Sequence, residues 1–195
     1  MIKNIVFDVS GVITEEGAKT SAERIAGLTN TSFAEIWAVV FHDLYYKAYV
    51  GSISSKEYYE KSKKIFNKKI SRKKFAGAYL SGYAVRKEVL KIIKKLCKKY
   101  ALYVLSNQTL INSKFLHPVL DKYFQKIVFS DEVKKAKPDI KIYKLLLKNI
   151  KPSQSIYIDD KEKHLAPAKK LGFHTILFKD IKQFKNELAS FSIFI

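Results

Sequence analysis

Five short apolar runs, four of them alternating with amphipathic stretches, constrain this chain more than any other feature. They are "IVFD" from Ile5, "ALYVLS" from Ala101, "KIVFS" from Lys126, "SIYID" from Ser155 and "HTILF" from His174. Each is too short for a buried helix and apolar on both faces, as a strand covered on both sides must be. From Arg86 onward helical spacing intervenes: Val89, Ile92, Ile93 and Leu96 within about Arg86–Lys99, a mixed segment over Leu110–Tyr123, a helix near Ile140–Asn149, then about Glu162–Leu171 and Ile181–Ala189. Strand and helix in alternation predict an α/β fold, a doubly wound parallel sheet with helices on both faces.

The stretch between Thr14 and Ala84 breaks this rhythm. It holds no convincing strand, and its apolar residues fall at helical spacing in "AEIWAVVFHDLYYKAYV" and "SKEYYEKSKKIF". The expected organisation is a core domain of residues 1–14 and 85–195, with residues 15–84 forming an all-helical insertion after the first strand. The C-terminal "SFSIFI" is expected either as an edge strand or as a tail packed on a neighbour.

A chain of 195 residues with 47% hydrophobic content can bury a core of its own. No apolar run approaches the roughly 20 residues of a membrane span, and the first residues do not form a signal peptide. The expectation is a soluble cytoplasmic protein, monomer or homodimer, with no membrane partner. The single cysteine, Cys97, falls at helical spacing with Ile93 and Leu96 and reads as core packing. The net charge of +19 raises the question of polyanions. Only Arg24, Arg72 and Arg86 are arginines, however, and the lysines are dispersed in pairs along the whole chain. Bidentate reading of bases and phosphates favours arginine, so no specific nucleic-acid partner is expected.

In an open α/β sheet, ligands bind outside the carboxyl ends of the strands. Four polar groups are predicted there. The first strand delivers Asp8; "VLSN" delivers Ser106 and Asn107; the loop after "KIVFS" delivers Lys137 within "AKPD"; "SIYIDD" delivers Asp159 and Asp160. Acids that converge repel unless a cation lies between them, and oxygen ligands of this kind suit Mg²⁺. A hydroxyl and an ammonium nearby can hold phosphoryl oxygens, and a carboxylate aimed at phosphorus can act as nucleophile.

These four motifs, in this order and each at a predicted strand end, resemble the haloacid dehalogenase superfamily over nearly the whole chain. The resemblance implies Asp8 as nucleophile, Ser106 and Lys137 as the second and third motif residues, and Asp160 as the metal-binding acid with Asp159 in support. The backbone carbonyl of Ser10 would join Asp8 on the cation, and the helical insertion looks like the family's substrate-covering cap. Within the superfamily, "YVGSISSKEYY" and "VLSNQT" resemble the branch of bacterial glucose-1-phosphate phosphatases and epoxide hydrolase amino-terminal domains. The implied activity is a Mg²⁺-dependent phosphatase that takes a small phosphorylated metabolite through an aspartyl-phosphate on Asp8. Substrate contacts are expected from Asn107, and in the cap from His42 and Tyr46, with Trp37, Tyr45 and Tyr49 as further candidates. His164, where family members carry aspartate or asparagine, is either a supporting group or a surface residue.

The departure from the family pattern is Ser10. Phosphatases of the family place a second aspartate there, which protonates the leaving oxygen and activates water; a serine hydroxyl is a poor acid or base near neutral pH. Two alternatives follow. One is a binding or regulatory module with little turnover; the other is a metal-independent 2-haloacid dehalogenase, against which the acidic pair "IDD" argues.

Overall fold

A computed structural model describes residues 1–195. The first strand, β1 (Asn4–Phe7), is followed by a long run of helices: α1 (Ala18–Thr29), α2 (Phe33–Ile36), a π-helical turn over Trp37–Asp43, α3 (Tyr45–Tyr49), α4 (Ser55–Ser62) and α5 (Arg72–Leu80). Two of these helices start at capping boxes. Ser32 and Ser54 accept from the backbone N–H of Glu35 and Glu57, whose side chains reach back to the serine N–H groups. Then come α6 (Lys87–Leu96), β2 (Ala101–Ser106), α7 (Leu110–Leu120), β3 (Lys126–Phe129), the short α8 (Ser130–Val133) and α9 (Ile140–Tyr143). The chain closes with β4 (Ser155–Asp159), α10 (Glu162–Lys170), β5 (His174–Leu177) and α11 (Ile181–Ser190). None of these helices is long and apolar enough to cross a membrane.

All five predicted strands form one parallel sheet in the order β3-β2-β1-β4-β5. The chain winds outward from β1 through β2 to β3, then crosses to β4 and β5 on the other side, so β1 borders the point where the winding reverses. That is where such sheets open a crevice at their carboxyl edge. Register fixes what lies there. Phe7 pairs with Val104 and with Ile158, so Asp8 lies beside Asp159 on one neighbour and near Ser106 on the other.

Alternate side chains of the sheet feed two cores. Ile5, Phe7, Val104 and Ile158 meet Ile93, Leu96, Phe184 and Leu188 on one face. Val6, Tyr103, Leu105 and Tyr157 meet Ile142, Tyr143, Leu146 and Leu165 on the other. The insertion has a third cluster of its own, which includes Phe41, Tyr58, Phe75 and Tyr79. It joins the core through two adjacent crossings, where Glu15 N–H donates to the Ala84 carbonyl and Arg86 N–H to that of Ile13.

Three expectations change. The helix near Ile140–Asn149 is regular only to Tyr143 and continues as turns. The C-terminal tail forms no strand: Ile193 donates back to the Leu188 carbonyl and is buried in the core of its own chain. Cys97 sits at the edge of that core, half-buried, with its thiol near the Lys94 carbonyl.

Candidate active site

Asp8 leaves β1 at the centre of the carboxyl edge and is 4% exposed. Its Oδ1 accepts from Ser106 Oγ at 2.5 Å and from Lys137 Nζ at 2.9 Å. Both contacts fall on one oxygen, so Oδ2 is left without a hydrogen-bond partner. Burial and the neighbouring charge of Asp159 push the Asp8 carboxyl up, against the opposing pull of Lys137 and Ser106.

Lys137 is equally buried, and its ammonium bridges two carboxylates, Asp8 and Asp159, the latter at 2.6 Å. Burial would lower its pKa, but the two acids outweigh that and raise it, so the lysine stays charged. Asn107 fixes the backbone that carries it: Oδ1 accepts from Lys137 N–H at 2.8 Å and Nδ2 donates to the Lys137 carbonyl at 3.0 Å. Asn107 lines the cleft above Asp8.

The two adjacent acids of "IDD" have opposite surroundings. Asp159 is fully buried and every oxygen is engaged: Oδ2 by Lys137 and the Tyr157 hydroxyl, Oδ1 by Lys161 N–H and by His164 Nδ1 at 3.1 Å. Burial alone would raise it; Lys137 and His164 overcome that and hold its carboxyl well below the usual range. Asp160 lacks such partners. Its Oδ1 is buried with no hydrogen bond, and the nearest ammonium, Lys161 Nζ, stands 4.0 Å away, engaged with Glu16 at 2.7 Å. Burial and the charge of Asp8 push Asp160 up to about 7. Gly11, at φ +87, gives it room, since a Cβ there would come within 2.3 Å of Asp160 Oδ2. The Ser10 carbonyl accepts no backbone hydrogen bond, and the N–H groups of Val9, Ser10 and Asn107 donate to no carbonyl.

This donor set fits a hard divalent cation. Asp160 is a half-buried carboxylate whose buried Oδ1 has no hydrogen-bond partner; it lies against Gly11, the residue after the free Ser10 carbonyl, and oxygen donors of this kind suit Mg²⁺. Asp8, Asp159 and His164 also have ligand atoms within 4.8 Å of one another. That grouping is the weaker candidate, because the Asp159 oxygens already hold an ammonium, a phenol and two N–H donors. His164, 8% exposed, is a positioning group for Asp159, not a surface residue.

The cap candidates divide. Tyr45 and Tyr49 line a cleft of about 340 Å³ together with Asp8, Ser10 and Lys137. Tyr46 is 60% exposed and stands outside that cleft, in an adjoining one. His42 does not reach the site: its ring is exposed and meets only Asp43, because the π-helical turn that carries it points it away from Asp8. Trp37 stacks between Phe33 and Phe41. Sequence reasoning missed Gln108, whose Nε2 donates to both Ser10 Oγ at 3.1 Å and Ser106 Oγ at 2.9 Å. It also missed Tyr157, whose place two residues before Asp159, on the same face of β4, was the available signal.

Residues 5–178 match the family model described as haloacid dehalogenase-like hydrolase. The chain belongs to that family. It is therefore a hydrolase by descent, and its relatives include phosphatases. The D-ribitol-5-phosphate phosphatase of Bacteroides thetaiotaomicron is 25% identical over 97% of this chain and 98% of its own. The bifunctional epoxide hydrolase 2 of Sus scrofa is 33% identical over 65% of this chain, but that match spans only 22% of the pig protein. A haloacid dehalogenase family enzyme of Bacteroides thetaiotaomicron, solved with magnesium and inorganic phosphate, superposes with a TM-score of 0.79 at 26% identity, over 92% of this chain and 95% of that one. An L-2-haloacid dehalogenase of Xanthobacter autotrophicus shares the fold, with a TM-score of 0.65 at 16% identity over 99% and 84%.

Proposed function

We propose that this haloacid dehalogenase-family hydrolase is a Mg²⁺-dependent phosphatase of a small phosphorylated metabolite, working through an aspartyl-phosphate on Asp8. One observation carries the reading: a nucleophile-grade carboxylate with one free oxygen faces a second, unpartnered carboxylate, Asp160. The relative matched end to end, a ribitol-5-phosphate phosphatase, and the neighbour solved with magnesium and phosphate support it.

Asp8, Asp160 and the Ser10 carbonyl would hold the cation, which supplies positive charge against the phosphoryl oxygens when bound. Lys137 and Ser106 favour the carboxylate form of Asp8 against the effect of its burial, with Oδ2 as the attacking atom. As the Oδ2–phosphorus bond forms, the bond from phosphorus to the leaving oxygen breaks and that oxygen takes a proton from solvent. Water then attacks phosphorus and gives up a proton to solvent, the bond between Asp8 Oδ2 and phosphorus breaks to restore the carboxylate, and inorganic phosphate departs. The free N–H groups of Val9, Ser10 and Asn107 are suited to the phosphoryl oxygens. Residues 15–84 act as the cap, with Tyr45 and Tyr49 over the cleft.

The weak point of this machinery is proton transfer. Ser10 Oγ accepts from Gln108 and has no acidity to offer. Substrates whose leaving oxygen needs little help, such as sugar 1-phosphates or acyl phosphates, are therefore favoured. A screen over phosphometabolites with and without Mg²⁺ tests the reading. Activity should vanish on chelation and fall by at least ~10³ in Asp8→Asn, the scale of losing a covalent nucleophile. Hydrolysis that survives either change would overturn it.

A further inference from the structure

A second cleft of about 800 Å³ adjoins the catalytic one and shares Tyr49, Lys137 and Pro138 with it. Its core wall carries Lys134, Lys135 and Lys141, and its cap wall Tyr46 and Tyr49. None of the three lysines forms an ion pair. The only carboxylate of the lining is Asp139, which is engaged with the Lys141 N–H as a helix cap. Three ammoniums against one occupied carboxylate leave the cleft positively charged, next to a nucleophile that is expected to take a phosphoryl group.

The walls are fixed relative to each other. Ser130 Oγ donates to the Tyr49 carbonyl, which ties the start of α8 to the end of α3. Gly51, at φ +66, lies so close to the Asp131 carbonyl that a Cβ would approach within 2.1 Å of it. Just past α8, Lys134 itself is held at φ +53, a conformation that lysine adopts rarely and at a cost. Insertion and core are thus pinned together along this edge, and the lysines stand on one side of a formed crevice.

We infer that this cleft receives a second anionic group of the substrate, so that the preferred ligand is a phosphomonoester carrying a further phosphate or carboxylate. The reacting phosphate lies over Asp8, the body of the molecule passes Tyr49, and its far end meets Lys134, Lys135 and Lys141. The inference rests on the phosphatase reading for what happens at Asp8, but the binding it asserts can be measured without turnover.

Calorimetry of the full chain in chelator, with a sugar bisphosphate and its matching monophosphate, reads the cleft directly. A phosphorylated sugar acid against the neutral phosphosugar forms the second arm. Three exposed charge contacts predict about tenfold tighter binding of the member that carries the second anionic group, less at higher ionic strength. The arm with the larger ratio identifies phosphate or carboxylate as the partner. In Lys134→Gln/Lys135→Gln/Lys141→Gln the ratio should fall to near one. Lys91→Gln/Lys94→Gln/Lys98→Gln, an equal loss of charge from exposed lysines on or just past α6 that line neither cleft, should keep it. A ratio near one in the unaltered protein, or a ratio lost equally in both variants, would overturn the inference. Hydrolysis followed in parallel separates the two readings: tight, lysine-dependent binding with no turnover of any phosphomonoester would sink the phosphatase and leave the cleft standing.

Discussion

The carboxyl edge of the sheet and the helical insertion bury their polar side chains by opposite means. At the edge, ionised groups are buried and satisfied by one another: Lys137 between Asp8 and Asp159, with Ser106, Tyr157 and His164 completing the set. In the insertion, burial is done by aromatic rings. Phe75 lies within 5.7–6.4 Å of the rings of Tyr58, Tyr59, Phe66 and Tyr79, and Tyr58 and Tyr59 donate single hydroxyls to the carbonyls of Val40 and Ile70. The first arrangement costs desolvation and yields a defined electric field; the second gains packing and yields an aromatic wall. A hydrolase needs both, one to react and one to exclude water.

The largest effect expected of this contrast is at Lys137. Lys137→Ala strands two buried carboxylates, and breaking such a set typically costs 3–5 kcal/mol, about as much as a small domain can lose. Adding Asp8→Asn should recover part of that loss in chemical denaturation, because one of the stranded charges goes. If the double variant is no more stable than Lys137→Ala, the edge is not held by charge. Phe75→Ala probes the other region. It removes a fully buried ring and should cost about 3–4 kcal/mol by the same measurement, with no rescue by any charge change at the edge.

Ser10→Asp tests how completely the edge is tuned. A carboxyl at that position supplies the missing proton donor, a contribution of about 10²–10⁴ in rate in enzymes that have it. Turnover should rise most on phosphomonoesters with poor leaving groups and least on activated ones such as acyl phosphates. An equal rise on both classes would show that proton transfer was not what the serine lacked.

How much of this was legible in the sequence follows the same division. The five strands were readable because each is a short apolar run, and the first four end in a polar residue. Asp8, Ser106 and Asp160 were readable because they stand at or just past strand ends on one edge, and Lys137 because the loop after β3 opens on that same edge. What escaped was anything set by side-chain direction within the insertion. His42 and Tyr46 share a segment with Tyr45 and Tyr49, yet the π-helical turn and the single helical turn after it send only the latter two to the cleft. The unequal roles of Asp159 and Asp160 were also only partly legible. Their difference depends on Lys137, Tyr157 and His164 all converging on the first of them, which no spacing reveals.

The surface offers a third arrangement that sharpens the comparison, and its effect is the smallest. His117 stands between Asp121 and Glu132, both at 2.8 Å, repeating the pattern of one cation between two carboxylates where water can screen it. Burial lowers the His117 pKa, but the two carboxylates more than offset this and raise it. A group whose pKa is raised on folding stabilises the fold fully below its unfolded value, near 6.5, and that contribution disappears as pH rises through the folded value. With a third of the side chain exposed, screening reduces it to a few tenths of a kcal/mol. His117→Gln should therefore lower the melting temperature slightly at pH 5.5 and leave it unaltered at pH 8.5. A loss of the same size at both values would mean that His117 stabilises through its ring contact with Phe129, 5.1 Å between centroids, and that charge at this surface does nothing comparable to charge at the buried edge.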